Sequence, residues 1–158
     1  MVKIAGVDPG ASGAAAVRYR FKGETQVYCA PFPREESELV QLFTELIKPD
    51  IAYVERVTGY IGQGHPGSRM FKFGMNYGLI LGALQSTGCK VVKVVPRVWM
   101  KALDLGTRGK RTKVEWKRHL KEEAKRLWPD EKVTQDNADA LLILQYAINK
   151  ETNQDPGY

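Results

Sequence analysis

The chain has 158 residues, 43% apolar and 27% charged, with 24 Lys and Arg against 18 Asp and Glu, a net charge of +6. That length fits one domain with its own core, and the composition is ordinary globular and argues against disorder. No apolar run approaches the roughly 20 residues of a membrane span, and Met1-Val2-Lys3-Ile4 opens no signal peptide. Cys29 and Cys89 are too few for a disulfide framework and fit buried free thiols in a cytoplasmic protein. With only His65 and His119 beside them, the sequence argues against a Cys/His zinc site. The charge is unevenly spread. Residues 93–132 hold 13 of the basic and 6 of the acidic residues, and the rest of the chain is close to neutral. One basic face on a neutral body is the pattern of a polyanion-binding protein.

Val2 to Val7 is a short apolar run that stops at Asp8-Pro9-Gly10-Ala11-Ser12-Gly13, which predicts strand, tight turn, strand. Gly13 to Tyr19 and Thr25 to Ala30 read as two further strands of an antiparallel meander. Leu39, Leu42, Phe43, Leu46 and Ile47 recur at helical spacing and predict a helix over 35–47, stopped by Lys48-Pro49. Ile51 to Val54 reads as a strand with Glu55 at its end. Residues 56–67, with four glycines and Pro66, read as a mobile loop.

Ser68 to Ser86 reads as a long apolar helix and Lys90 to Val95 as a strand closed by Pro96. A short helix over 96–103 has proline at its favourable first position, and a basic loop follows over 104–111. Thr112-Lys113-Val114-Glu115 matches a capping box opening a helix to Trp128-Pro129. A last helix is expected over 135–149, and 150–158 as a polar, frayed tail outside a single domain of residues 1–149. The order implies an α/β fold, one mixed sheet of antiparallel meander plus parallel strands, with helices on both faces.

Ligands of such sheets gather at the carboxyl ends of strands, where Asp8 and Glu55 fall. Asp136 and Asp139 are three apart and expected on one face of the last helix. Each acid has an ordinary alternative: Asp8 as a turn residue, Asp136 as a complement to the helix dipole. Glu55 after Ile-Ala-Tyr-Val is harder to dismiss. A purely carboxylate set suits hard cations, Mg²⁺ or Mn²⁺. Two such ions about 3.5–4 Å apart clamp the attacking and leaving oxygens of a phosphodiester.

Ile4-Ala-Gly-Val-Asp8-Pro-Gly10, Tyr53-Val-Glu55 and Asp136-Asn-Ala-Asp139-Ala-Leu together resemble the RuvC family of Holliday-junction resolvases, within the RNase H-like superfamily. The resemblance implies an RNase H-like fold and a homodimeric, Mg²⁺-dependent enzyme that nicks two opposed strands of a four-way DNA junction. It implies a ligand set of Asp8, Glu55, Asp136 and Asp139 for two ions. Asp8 would bridge both, Glu55 and Asp139 would each hold one, and Asp136 would complete the shell or position water. The family inserts an apolar or aromatic residue into the junction shortly after the glutamate, a part that falls to Tyr60 or Ile61. That loop and the long basic segment look closer to viral or phage members, so a bacterial cell or phage-infected host is the expected setting.

Arg108, Lys110, Arg111 and Lys113 crowd the loop before a helix N-terminus, a favourable place for phosphate. With Lys117 they are expected to hold the DNA backbone, and Lys113 to stabilise transition-state charge. Lys117, Lys121 and Lys125 continue the basic face, weakened where Glu115, Glu122 and Glu123 pair with it. Gly74, Gly78 and Gly82 stripe one helix at a spacing that implies close approach of another backbone, either the chain's own sheet or the same helix of a second subunit. Trp99, Trp116 and Trp128 read as core. Competing functions are a nuclease for flaps, forks or other branched DNA, and a non-catalytic DNA-binding scaffold. Gly6-Val-Asp8-Pro-Gly10-Ala-Ser-Gly13 also resembles the first phosphate loop of actin-like ATPases, but a second such loop and a second domain are missing.

Overall fold

The computed structural model describes residues 1–56 and 67–153. Strands β1 (Ile4–Asp8), β2 (Ala14–Phe21), β3 (Glu24–Pro31), β4 (Ile51–Glu55) and β5 (Lys90–Val94) form one sheet in the order β3-β2-β1-β4-β5. β1, β2 and β3 pair antiparallel, whereas β1, β4 and β5 run parallel. This is the mixed sheet read from the sequence. The β2–β3 turn is a two-residue hairpin with Lys22 at φ 49° and Gly23 at φ 89°, the twist that matches the flanking strands.

Alternate residues of β1 serve opposite faces. Ala5 and Val7 pack with Leu39, Phe43, Ile47, Ile80 and Leu84, under α1 (Glu36–Gln41) and α2 (Gly67–Ser86). Ile4 packs on the other face with Trp99, Leu120 and Leu141, from α3 (Pro96–Ala102), α4 (Lys113–Leu127) and α5 (Ala138–Asn153). Gly6 lies beneath α5. A Cβ there would overlap the backbone nitrogen of Leu144 and the carbonyl oxygen of Ala140. The missing side chain is what lets α5 sit directly on the sheet.

Three elements differ from expectation. The helix read over 35–47 is α-helical only to Gln41 and continues as a π-turn, Leu42–Ile47, which buries Leu42, Phe43 and Ile47 together. It ends at Lys48 in the left-handed region, whose N–H donates to the Phe43 carbonyl at 3.2 Å. The last helix starts at Ala138 rather than Gln135, because Asn137 and Thr134 close a reciprocal turn ahead of it: Thr134 N–H to Asn137 Oδ1 at 2.7 Å, Asn137 N–H to Thr134 Oγ1 at 3.2 Å. It also continues through Lys150 to Asn153, so 150–153 are helix where a frayed tail was expected; the rest of that expected tail, 154–158, lies outside the described residues. Tyr53 Oη donates to Glu151 Oε1 at 2.7 Å and ties that end to β4.

Candidate active site

β1 is a run of small and branched residues that must stop at Pro9, which has no N–H for the ladder. Asp8 is its last residue. Its Oδ1 accepts from Gly10 N–H at 3.0 Å, and Gly13 N–H donates to the Gly10 carbonyl at 2.9 Å. Asp8 is thus a turn residue as well as a candidate ligand. β4 runs parallel to β1 with Val54 opposite Val7, so Glu55 emerges beside Asp8 at the same edge. Trp99, fully buried, donates its indole N–H to Glu55 Oε2 at 3.1 Å. Sequence reading placed Trp99 in the core but missed this role. The available signal was that a buried tryptophan N–H needs a partner.

α5, pressed on β1 over Gly6, supplies Asp139 from its first turn; that residue is only 8% exposed. Burial first, then the Asp139 charge, raises the Asp8 carboxyl to about 6. Burial, then Asp8 and Asp139, raises Glu55 to about 7. Three acids from three elements therefore repel one another in a poorly solvated place. Lys117 answers them, with Nζ 2.5 Å from Asp139 Oδ2. Burial opposes that ammonium, but Asp139, Asp8 and Glu55 outweigh it and its pKa is raised.

These groups line one cleft of about 650 Å³ with Lys113, Asp136 and the Ala11–Ser12 turn. Asp136 is exposed at its rim, in the turn before α5. It does not share a helix face with Asp139, as the expected helix start required. The structure brings Asp8, Glu55, Asp136, Asp139, Lys113 and Lys117 together. Lys117, expected only among the DNA contacts, is the lysine in contact with the acids.

Arg108, Lys110 and Arg111 are not in this cleft. Arg108 Nε donates to the Arg111 carbonyl at 2.9 Å and Arg111 Nη1 to the Thr107 carbonyl at 2.9 Å, which folds the loop on itself. The capping box of α4 is formed: Glu115 N–H donates to Thr112 Oγ1 at 3.2 Å and Thr112 N–H to Glu115 Oε2 at 2.7 Å. Glu122 pairs with Lys125 and Glu123 with Arg126, which trims the basic face as expected. Tyr60 and Ile61, with most of the loop read over 56–67, lie outside the described residues.

The donor set fits a hard divalent cation. It is wholly carboxylate, and Asp139 Oδ1 is buried with no hydrogen-bond partner among the described residues. Among those residues no three acidic, His or Cys groups already stand close enough to hold an ion together. Lys117 stands among them instead. No described helix is long and apolar enough to cross a membrane.

No protein-family model matches the chain, and no curated protein matches it by sequence. Its fold is that of solved Holliday junction resolvases. RuvC of Thermus thermophilus matches at TM-score 0.63 with 18% identity over 96% of both chains, and its complex with Holliday junction substrate at TM-score 0.62 with 16% identity. The fowlpox virus resolvase in complex with substrate Holliday junction DNA matches at TM-score 0.55 with 14% identity over 98% of this chain and 99% of the other. The yeast mitochondrial Holliday junction resolvase matches at TM-score 0.55 with 14% identity over 94% of this chain and 78% of the other. The chain is therefore an α/β protein with one mixed five-stranded sheet. Its sheet and helices are arranged as in these solved resolvases.

Proposed function

We propose that the chain is a divalent-metal-dependent endodeoxyribonuclease that resolves four-way DNA junctions by paired nicks. The observation that carries this reading is the convergence of Asp8, Glu55 and Asp139 at one sheet edge, with both strand acids pushed toward neutrality. An acid cluster so costly to charge is useful where a cation is to be held. The shared fold directs the substrate, since two of the solved neighbours hold a Holliday junction.

Asp8, Glu55 and Asp139 would hold Mg²⁺ or Mn²⁺, two ions per site, with Asp136 completing the set from the rim. When bound, these ions supply Lewis-acid stabilisation of phosphate charge and a more acidic water. The protein's own groups do the rest. Trp99 fixes Glu55 through its N–H, and the Gly10 N–H fixes Asp8. Lys117 balances the acids before a cation arrives and, released from Asp139, is positioned to meet the phosphate. Lys113 adds a second positive charge at the exposed start of α4.

A junction has near-twofold symmetry, and a symmetric pair of nicks needs two sites about a twofold axis. The exposed glycine stripe of α2, with Phe71 and Met75 beside it, is the face we assign to a second copy.

The test is cleavage of a mobile four-way junction with and without Mg²⁺, read at nucleotide resolution. Wild type is expected to nick opposed strands symmetrically, and Asp8→Asn and Asp139→Asn to bind the junction without cutting it. Full cleavage by either variant, or no cleavage by wild type in Mg²⁺ or Mn²⁺, overturns the reading.

A further inference from the structure

The three tryptophans have separate fates. Trp99 and Trp128 give their indole N–H to Glu55 Oε2 and to the Leu141 carbonyl, the latter at 3.1 Å. Trp116 is half-buried, and among the described residues its N–H has no partner. Its ring stacks on His119 with centroids 5.2 Å apart, and the Arg111 guanidinium lies 5.6 Å from its centroid. His119 is in turn fixed by a 2.8 Å hydrogen bond between Nε2 and the Leu105 carbonyl. The ring is thus held rigidly, and it lines a second cavity of about 570 Å³ between α3 and α4.

The floor of that cavity is apolar, from Trp116 and Met100, both packed against the core beneath. Its rim carries Arg97, Lys101 and Arg108, exposed and in no ion pair among the described residues, against one acid, Asp104. An apolar floor of indole and thioether under a cationic rim is complementary to a base with its phosphates.

The position is also telling. Trp116 lies between Lys113 and Lys117 in the sequence of α4 and about 100° round the helix from Lys117. One side of α4 therefore faces the carboxylate cleft and the next faces this pocket. A strand leaving the cleft crosses one helix width, about 10–12 Å, to reach it, or about three nucleotides.

We infer that this pocket takes one nucleotide of the DNA strand, its base against Trp116 and Met100 and its phosphates among Arg97, Lys101 and Arg108. DNA as the occupant rests on the nuclease reading, and the pocket would give that nuclease a preference for the nucleotide a few positions from the nick.

The probe is a single-stranded oligothymidylate of about ten nucleotides, titrated in EDTA into wild type, Trp116→Ala, Trp116→Phe and Arg97→Ala/Lys101→Ala, with thermal melts of each. Trp116→Ala is expected to weaken binding about 5- to 100-fold, and Trp116→Phe to recover most of it. The rim pair, which leaves the stack untouched, should lower the salt slope by about 0.7 for each phosphate no longer neutralised. Binding within twofold of wild type for Trp116→Ala, equal loss in Trp116→Phe, or an unchanged salt slope overturns the pocket. Junction cleavage by wild type is run in parallel. A junction left uncut while oligonucleotide binding still depends on Trp116 sinks the nuclease reading alone; a cut junction with Trp116-independent binding sinks the pocket alone. Failure to bind any DNA sinks both.

Discussion

Gly6 and the glycines of α2 mark opposite faces of the sheet and are used in opposite ways. A Cβ on Gly6 would run into the backbone of α5, whereas one on Gly74, Gly78 or Gly82 would meet nothing within 4 Å among the described residues. The first glycine is spent inside the chain, bringing α5 close enough for Asp139 to join the two strand acids. Among the described residues the other three leave a face open, and the chain's own sheet, one of the two partners expected for that stripe, does not fill it. The largest test of this contrast is Gly6→Ala. The overlap is with backbone, not with a flexible side chain, so a loss of about 3 kcal/mol or more is expected in urea denaturation. A variant as stable as wild type would mean that α5 is free to slide, and that its hold on Asp139 is loose.

Lys117 sharpens the same contrast from within the crowded side. The acids gathered by α5 need a positive charge, and Lys117 gives one at Asp139. Lys117→Met keeps most of the stem and removes the charge. The metal-free protein should then lose about 1–3 kcal/mol, less than a fully buried pair would cost because Lys117 retains some exposure. Mn²⁺ should bind more tightly than to wild type, because no ammonium must be displaced. Thermal melts in EDTA and titration calorimetry with Mn²⁺ read the two effects. If both stability and metal affinity fall, Lys117 supports the site instead of competing for it.

The crowding also has a pH signature. Asp8 and Glu55 have folded-state values of about 6 and about 7, above the 3.8 and 4.5 of free carboxyls. Their protonated forms stabilise the fold fully below the free values, and that contribution is lost as pH rises through 6 and 7. Melting of the metal-free protein should therefore fall by several degrees between pH 5 and pH 8. Mg²⁺ should restore the loss at pH 8 and do little at pH 5, where protons already hold the acids. Melting that is flat over this range would show that the acids do not repel one another. The α2 helix carries no acidic residue and adds nothing to this profile.

Asp8 and Glu55 were legible because each closes an apolar run, and a strand that ends in an acid delivers it to the sheet edge. Asp139 was legible through its place near the start of the last helix, but the helix start itself was misread. Thr134 and Asn137, three apart, exchange hydrogen bonds in the reciprocal pattern of a capping box, a local signal that the apolar periodicity from Ala138 onward overshadowed. The Trp99–Glu55 and Lys117–Asp139 contacts were not legible, since residues 44 and 22 apart meet only once α3 and α4 have packed on the sheet. The π-turn over Leu42–Ile47 was hidden for a related reason. Its periodicity is helical, and only burial of Leu42, Phe43 and Ile47 on the sheet selects the wider turn.

The open face gives the smallest effect on the fold. Gly78→Leu adds a bulky side chain where the monomer has room, and it replaces glycine by a better helix former. Monomer stability should stay within about 1 kcal/mol of wild type, with a gain as the expected sign. If α2 meets a second copy along the stripe, the same side chain blocks the approach, since Phe71 and Met75 then have no flat surface to close over. Sedimentation should show wild type as a dimer and Gly78→Leu as a monomer that still melts cooperatively. Paired nicks on a junction should become single, uncoordinated nicks, while each site keeps its acids and its metal. A Gly78→Leu protein that stays dimeric moves the interface off this helix. One that loses stability as Gly6→Ala does would show that α2 was closed against its own chain, and the contrast between the two faces would fall.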